Sequence, residues 1–427
     1  MNWIDKVIVE GFWGDRSIEF DFFDDMNFII GINGSGKTTA VNLVVAALTV
    51  DFTELDRLEF SRIIVKLKSR ISRKKPSVII NKKVSKKSPF ASIEYEVKES
   101  ASDKGIVFSL DDYEEQMMLR GFPRQIMERE VYRRHGRSVQ STLQSLVNVS
   151  WLSVHRASME RNSYEDEHYE STVDRKLKEL SNRLVRYFST LGKAGSEQLE
   201  AFQKTVFLSM LHRKSSKPLF SVAKEINLNE EKAALEGIFK QFKVASKDFQ
   251  GRLDGHFEAL SKAKDKLYGD DVPGLTTTDI SVLIGTERID YIVDEWNKLL
   301  ERRQAIFEPR DTFLTIINSM MRKKEISINS QNELKVTTQS GKNLPINRLS
   351  SGEKQLLIVL GEALLQEKNT WVYIADEPEL SLHVRWQESL VENLRSINPN
   401  AQIIFATHSP DVVSVFGGRV FDMEKVV

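Results

Sequence analysis

Apolar and polar positions along the chain fall into three regimes. Near the N-terminus KVIVEGF and SIEFDF alternate as strands do, and MNFIIGINGSGKTTAVNLVVAAL reads as an apolar strand passing through glycines into an apolar helix. RIIVKLK and SIEYEV alternate again and predict a small antiparallel sheet with a basic turn. After WLSVHRAS the period becomes helical. Val173, Leu177, Leu180, Leu184 and Tyr187 step by 4, 3, 4 and 3, Phe242, Phe249, Leu260 and Leu267 continue a seven-residue beat, and Ile289, Ile292, Trp296, Leu299 and Ile306 form another. As one helix, residues 231–268 would reach about 57 Å at 1.5 Å per residue, which fits either a short helical arm or an ordinary bundle. From 323 the strand pattern returns in EISINS, ELKVTTQ, TWVYIADEPELSLH and AQIIFATHSPD.

This order predicts one α/β domain whose two ends are separated by a helical insertion. The expected division is an N-terminal lobe with a basic β subdomain at 1–160, a helical, short coiled-coil insertion at 161–322, and a C-terminal lobe at 323–427.

Composition narrows the chemistry. Cysteine is absent, which removes disulfides, thiolate nucleophiles and cysteine-based zinc or iron–sulfur sites. The seven histidines make no ligand spacing. No apolar run is long enough to span a bilayer and the first residues carry acids where a leader would be basic, so the expected location is the cytoplasm, with no membrane partner. With 61 basic and 61 acidic residues there is no net charge to draw in nucleic acid, and only local patches can do so.

Gly31, Gly36, Lys37 and Thr38 fit the phosphate loop G-x-x-x-x-G-K-[ST] between a strand and a helix. Backbone N–H groups through Asn33, Gly34, Ser35 and Thr39 would surround the phosphates of ATP, Lys37 would bridge the β- and γ-phosphates, and Thr38 would hold Mg²⁺. In WVYIADE, an apolar run ends in two acids, so a buried parallel strand would deliver Asp376 to Mg²⁺ and Glu377 to the attacking water. AQIIFATHSPD repeats the arrangement and brings His408 to the same edge, where its imidazole could meet the γ-phosphate or the water.

A second phosphate-gripping turn appears in NRLSSGEKQLL. Ser350, Ser351, Gly352 and Glu353 open an apolar helix whose positive end suits an anion. Two loops on one rigid face cannot readily enclose the same phosphates. The serine turn is therefore expected to serve a nucleotide held by another copy.

GINGSGKTT, LSSGEKQ, IADEPELSLH and ATHSP, in this order, resemble the Walker A, signature, Walker B with D-loop, and H-loop motifs of ABC-type ATPases, within the SMC, RecF and OLD-like group. The form EPE..LH favours the OLD-like branch over transporters. The resemblance implies a head-to-head dimer, or a higher even-numbered oligomer, sandwiching two ATP molecules between one subunit's Lys37 loop and the other's Ser351 loop. Glu377 would be catalytic, and Ser381 would communicate across the interface.

Three departures refine the resemblance. No glutamine loop is identified, Gln140 and Gln144 being weak candidates; a cysteine-free chain cannot make the zinc hook of the double-strand-break repair relatives; and no TOPRIM nuclease follows the H-loop before Val427. A separate nuclease effector is accordingly expected. The whole is most similar to the ATPase subunits of bacterial anti-phage defence systems, the AriA component of PARIS first and the PtuA component of Septu second. The alternatives are a DNA repair or maintenance ATPase of RecF or SMC type, and a scaffold in which ATP only cements an assembly.

Two further features have weaker signals. Residues 62–87 carry eleven basic residues and no acid, either a solvated loop or a dock for nucleic acid or for an acidic, DNA-mimicking protein trigger. Trp13 and Arg16 lie just before the phosphate loop, where relatives place groups near the adenine or γ-phosphate, although core packing explains them equally well.

Overall fold

The computed structural model describes residues 1–69, 73–83, 91–100, 102–109, 137–153, 171–211, 227–268, 274–413 and 416–426. The elements are β1 (Trp3–Phe12), β2 (Arg16–Asp21), β3 (Met26–Ile30), α1 (Lys37–Thr49), α2 (Phe52–Arg57), β4 (Arg62–Lys68), β5 (Ser77–Lys83), β6 (Ser92–Lys98), β7 (Ile106–Ser109), α3 (Arg137–Leu146) and β8 (Val149–Ser153). Then come α4 (Thr172–Ser209), α5 (Leu228–Gln241), α6 (Ser246–Tyr268), α7 (Thr277–Met320), β9 (Lys324–Ile328), β10 (Leu334–Thr338), β11 (Asn343–Leu344), α8 (Ser351–Leu364), β12 (Val372–Asp376), α9 (Val384–Ile397), β13 (Gln402–Ala406), α10 (Pro410–Val413), β14 (Val420–Asp422) and α11 (Met423–Val426). They divide into a unit formed by residues 1–186 and 310–427 and a second unit formed by 187–309.

The first unit holds a five-stranded sheet in the order β14-β3-β13-β12-β8, with every pairing parallel. The sequences MNFII, VYIAD and QIIFA are apolar on both faces, as strands covered on both sides must be. An antiparallel sheet, β2-β1-β4-β5-β6-β7, forms the other layer. The basic strands β4 and β5 therefore do not make a sheet of their own, because β4 pairs along β1 from Trp3↔Lys68 to Glu10↔Arg62. Helix α1 is apolar all round and lies buried between layers, packed in one core with Ile4, Val7 and Ile63 of the antiparallel sheet and Ile29, Ile374 and Ile404 of the parallel one.

Two buried amides fasten the core, Gln402 between the two sheets and Asn27 within the parallel one. Gln402 at the start of β13 accepts from the Ile4 N–H at 2.9 Å and donates to the carbonyls of Ile4 and Phe23, both at 2.7 Å. Asn27 closes the loop before β3 through Phe23 and donates to the Ile403 carbonyl at 3.3 Å. Each amide has its partners, which offsets the cost of burial.

The beat from 173 to 184 packs inside this unit, since a Cβ on Gly361 of α8 would meet Leu180 Cδ2 at 2.8 Å. Leu177, Leu180 and Leu184 are thus buried, and two ion pairs tie the same stretch to α8: Lys354 to Asp174 at 2.6 Å and Arg183 to Glu362 at 2.7 Å.

In the second unit, the long middle helix expected at 231–268 is instead a helical hairpin. Lys243 adopts φ +56°, and the Val244 N–H returns to the Phe239 carbonyl at 2.9 Å, ending α5. Phe239 and Phe249 then stack at 4.9 Å across the turn, and Lys232 pairs with Asp254 at 2.6 Å. The hydrophobic beat survived because both halves contribute to the packing, with Phe249, Leu253, Phe257, Leu260 and Leu283 in one cluster and Phe202, Ile238, Trp296 and Leu299 in another.

Glu231 of α5 is 5% exposed, and neither carboxylate oxygen has a hydrogen-bond partner. Burial, with the nearby charge of Asp290, pushes its pKa up to about 7. An acid whose folded-state value is raised binds more protons when folded, so its contribution to stability is lost as pH rises from the unfolded value near 4.5 through about 7. Glu231→Gln should therefore stabilise α5 and α6 at pH 8 by about 1–3 kcal/mol and make no difference near pH 4.5. Amide exchange in residues 228–268 at the two pH values measures this. Equal protection of both proteins at pH 8 would contradict it.

Candidate functional site

Parallel strands β3, β13 and β12 lie side by side, and their registers bring their carboxyl ends level. Asp376 stands opposite Ala406, and Ala406 opposite Ile29. The phosphate loop, His408 and the acid pair consequently emerge from one edge on neighbouring strands about 4.8 Å apart, which is where open α/β sheets bind ligands.

Gly34 and Gly36, at φ +86° and +94°, alternate with Ser35 and Lys37 to form a concave run of backbone. Gly36 also needs its lack of a side chain, because a Cβ there would meet both Phe12 Cζ and Trp13 Cζ2 at 2.9 Å. Asn33 and Gly34 are exposed, and Thr39 is half-buried in the first turn of α1. The Ser35 hydroxyl is buried with no hydrogen-bond partner.

Lys37 is 4% exposed, and its Nζ donates to the carbonyls of Gly31 at 2.8 Å and Ile32 at 3.1 Å. Burial lowers its pKa, against the opposing charges of Glu377, Asp376 and Glu379. The Thr38 hydroxyl donates to Asp376 Oδ1 at 3.2 Å. These residues fit a polyphosphate and a divalent cation: a concave backbone run with an orphaned hydroxyl, an ammonium facing three acids, and a hydroxyl paired with a carboxylate.

Glu377 has φ +48°, an uncommon conformation for a residue with a side chain. Its N–H is held by the Ala406 carbonyl at 2.8 Å, and its Oε1 lies 3.6 Å from His408 Nε2. Both side chains are about one-third exposed.

The serine turn reaches the same edge by a different route. Helix α8 leads into β12, so its N-terminus points back toward the carboxyl ends of the strands. Gly352 packs so closely that a Cβ would lie 2.4 Å from the Ser381 carbonyl oxygen, and Gln355 donates to the Pro378 carbonyl at 3.2 Å. Ser350 and Glu353 are engaged inside the chain. They form a capping box, and Lys324 holds the Glu353 carboxylate at 2.8 and 2.7 Å. Ser351 is exposed.

Trp13 is 40% exposed, stacks on Phe12 at 4.8 Å and has Arg16 at 6.0 Å from its ring. Gln140 and Gln144 lie on α3, ahead of the edge strand β8. The buried supports of the site, Gln355, Glu379 and Thr407, were not singled out from sequence. The only signal was the third acid of DEPE.

The basic run is weaker than its eleven charges imply. Lys82 is half-buried, with Nζ donating to the carbonyls of Leu55, Asp56 and Leu58 at 2.7, 2.7 and 2.8 Å, so it closes the end of α2. Lys68 lies 3.8 Å from Asp5. Lys66, Arg73, Lys74, Lys75 and Lys83 are exposed, whereas Arg70, Lys86 and Lys87 lie outside the described residues.

A phosphate loop, an acid pair and a histidine on adjoining parallel strands, with a capped serine helix behind them, define an ABC-type ATPase head. It carries a helical insertion between its two sequence segments. The chain belongs to the AAA ATPase domain family, whose model matches residues 3–413.

The Retron Vc95 probable ATPase of Vibrio cholerae is 29% identical over 174 residues, covering 36% of this chain and 33% of that protein. The DNA double-strand break repair Rad50 ATPase of Sulfolobus acidocaldarius is 33% identical over 107 residues, 24% of this chain and 12% of that one. The Retron Ec83 probable ATPase of Escherichia coli is 30% identical over 88 residues, 18% of this chain and 16% of that one. The chain thus spans a third or less of these relatives' length.

Among solved structures, the Smc head domain of Pyrococcus furiosus, bound to the C-terminal domain of ScpA, is 12% identical with a TM-score of 0.41, covering 97% of this chain and 92% of that one. Among the described residues, no helix is long and apolar enough to cross a membrane.

Proposed function

We propose that two copies of the chain hydrolyse ATP between them, and that this turnover controls a separate effector in a bacterial defence complex. The observation that carries the reading is the convergence of Lys37, the Thr38–Asp376 pair and the Glu377–His408 pair on one sheet edge.

Lys37 and the loop N–H groups through Asn33 to Thr39 bind the phosphates, and Lys37 exchanges its two carbonyl partners for phosphate oxygens. Thr38 and Asp376 would hold Mg²⁺, which supplies positive charge to the phosphate oxygens when bound. Glu377 orients a water molecule and takes its proton as the water oxygen bonds to the γ-phosphorus and the bond to the β-phosphate oxygen breaks. His408 donates to the γ-phosphate or holds the water. Trp13, beside Gly36, offers a ring face to the adenine.

The exposed Ser351 and the first turn of α8 complete the site in the other copy, where the helix's positive end stabilises phosphate charge. With their hydrogen bonds committed within the chain, Ser350 and Glu353 hold that turn in shape. An apolar rim around the edge supports burial against a second copy, with Ile32, Leu380 and Val384 at 68, 42 and 51% exposure.

Likeness to two retron probable ATPases supports the reading of a defence-associated ATPase. A TOPRIM-type nuclease as the effector, and kinship with AriA or secondarily PtuA, rest on the motif resemblance. The exposed cations Lys66, Arg73, Lys75 and Lys83 are the proposed dock for an acidic trigger. DNA repair or maintenance is the alternative, compatible with the Rad50 likeness, and it requires turnover that DNA stimulates with a steep salt dependence.

Mixing two inactive variants tests the shared site. Lys37→Ala and Ser351→Arg each disable both sites of a symmetric dimer. In a mixed dimer, one site combines the intact Lys37 of one chain with the intact Ser351 of the other. An equal mixture should recover about a quarter of wild-type turnover, because half the dimers are mixed and each has one good site of two. A mixture as inactive as its components would refute the reading.

A further inference from the structure

A third acid stands at the same edge, and none of the steps above uses it. Glu379 is 6% exposed. Its Oε1 accepts hydrogen bonds from the Thr407 hydroxyl and from the His408 N–H, the latter at 3.2 Å, while its Oε2 is buried with no hydrogen-bond partner. Thr407 is fully buried, and its hydroxyl oxygen in turn accepts the Ser409 N–H at 3.0 Å. One carboxylate from the turn after β12 thereby grips two consecutive residues of the turn after β13.

The grip lies where the backbone needs it. Glu377 sits at φ +48°, and such a conformation persists only when its surroundings over-determine it. On one side the Glu377 N–H is fixed by the Ala406 carbonyl at 2.8 Å. On the other, two residues along, Glu379 is fixed to Thr407 and His408. Both anchors tie the strained residue to the strand that carries His408.

A buried acid with an orphaned oxygen is destabilising, and an apolar side chain would fill the same volume without desolvating a carboxylate. Departures of this kind are characteristic of functional sites. We propose that Glu379 is a positioning residue that cross-braces the ends of β12 and β13 and so sets the separation of Glu377 from His408. The inference rests on the reading of Glu377 and His408 as the groups that handle water, and it extends that reading to what holds them in place.

The test compares Glu379→Ala, Glu379→Gln and Thr407→Val in the full chain, with Glu377→Gln as reference, measuring kcat and KM for ATP, the thermal midpoint and the pH–rate profile. Glu379→Ala should lower kcat by about 10- to 100-fold, because a displacement on the order of 1 Å is felt that strongly at a reacting centre. KM should stay within about threefold, since the hydrogen bonds of Lys37 to Gly31 and Ile32 and of Thr38 to Asp376 do not involve Glu379. Glu379→Gln should restore kcat to within about threefold, because its amide oxygen can accept the same two hydrogen bonds. Thr407→Val should reduce kcat, and it should have little further effect on top of Glu379→Ala, as expected of partners in one contact. The pH profile should move in the alanine variant and not in the glutamine variant.

Wild-type kcat in Glu379→Ala would overturn the proposal. So would a loss that tracks the thermal midpoint and that glutamine fails to rescue. Wild-type turnover in Glu377→Gln would remove the underlying reading of the site, whereas an inactive Glu377→Gln beside fully active Glu379 variants would remove the brace alone.

Discussion

Replacing Glu377 with glutamine should reduce ATP turnover by about a thousand-fold while leaving ATP bound, since a positioned general base contributes roughly 10²- to 10⁴-fold. Glutamine keeps the length and hydrogen-bonding reach of the side chain but cannot take the proton of the attacking water. The groups assigned to binding, Lys37 and the Thr38–Asp376 pair at 3.2 Å, remain in place. Bound nucleotide should then persist and hold two copies together. Single-turnover hydrolysis and the mass of the ATP-loaded species measure the two halves of this expectation. Turnover within tenfold of wild type, or a variant that no longer retains ATP, would exclude the role given to Glu377.

The second large effect concerns folding. Lys82→Glu should destabilise the N-terminal segment by about 3–5 kcal/mol, because it removes the cation that satisfies three carbonyls and places an acid beside them. Burial already lowers the Lys82 pKa despite the neighbouring charges of Asp56 and Glu59. Lys75→Glu and Lys83→Glu change exposed positions of the same run and should shift stability by less than about 0.5 kcal/mol. Chemical denaturation of the three variants distinguishes them. Equal stability of all three would mean that Lys82 has no structural role.

Lys82 also shows where reading a sequence stops. As text it is one of eleven like charges, and nothing within the run marks it as different. Its three acceptors lie 24 to 27 residues earlier and reach it through sheet pairing. The break between α5 and α6 was hidden for a related reason. Phe242, Phe249 and Leu260 keep their beat whether the segment is one helix or a hairpin, because the period reports which face is apolar and is silent about which partner covers it. The beat from Leu177 to Leu184 is covered at least in part by α8, about 180 residues further on.

What the sequence by itself determined is the set of local devices: the glycine loop between strand and helix, the two apolar runs ending in chemistry-bearing residues, and the serine–glutamate capping box. Each is encoded within about ten residues, and local backbone geometry is enough to form it. Only the tertiary structure decided that β3, β13 and β12 lie in that order with level ends, that Gly352 rests on the Ser381 carbonyl, and that Glu379 reaches across to Thr407 and His408. These contacts join residues distant along the chain. Their existence depends on strand order and register, which arise from burying several apolar faces at once and leave no mark in any one stretch of residues.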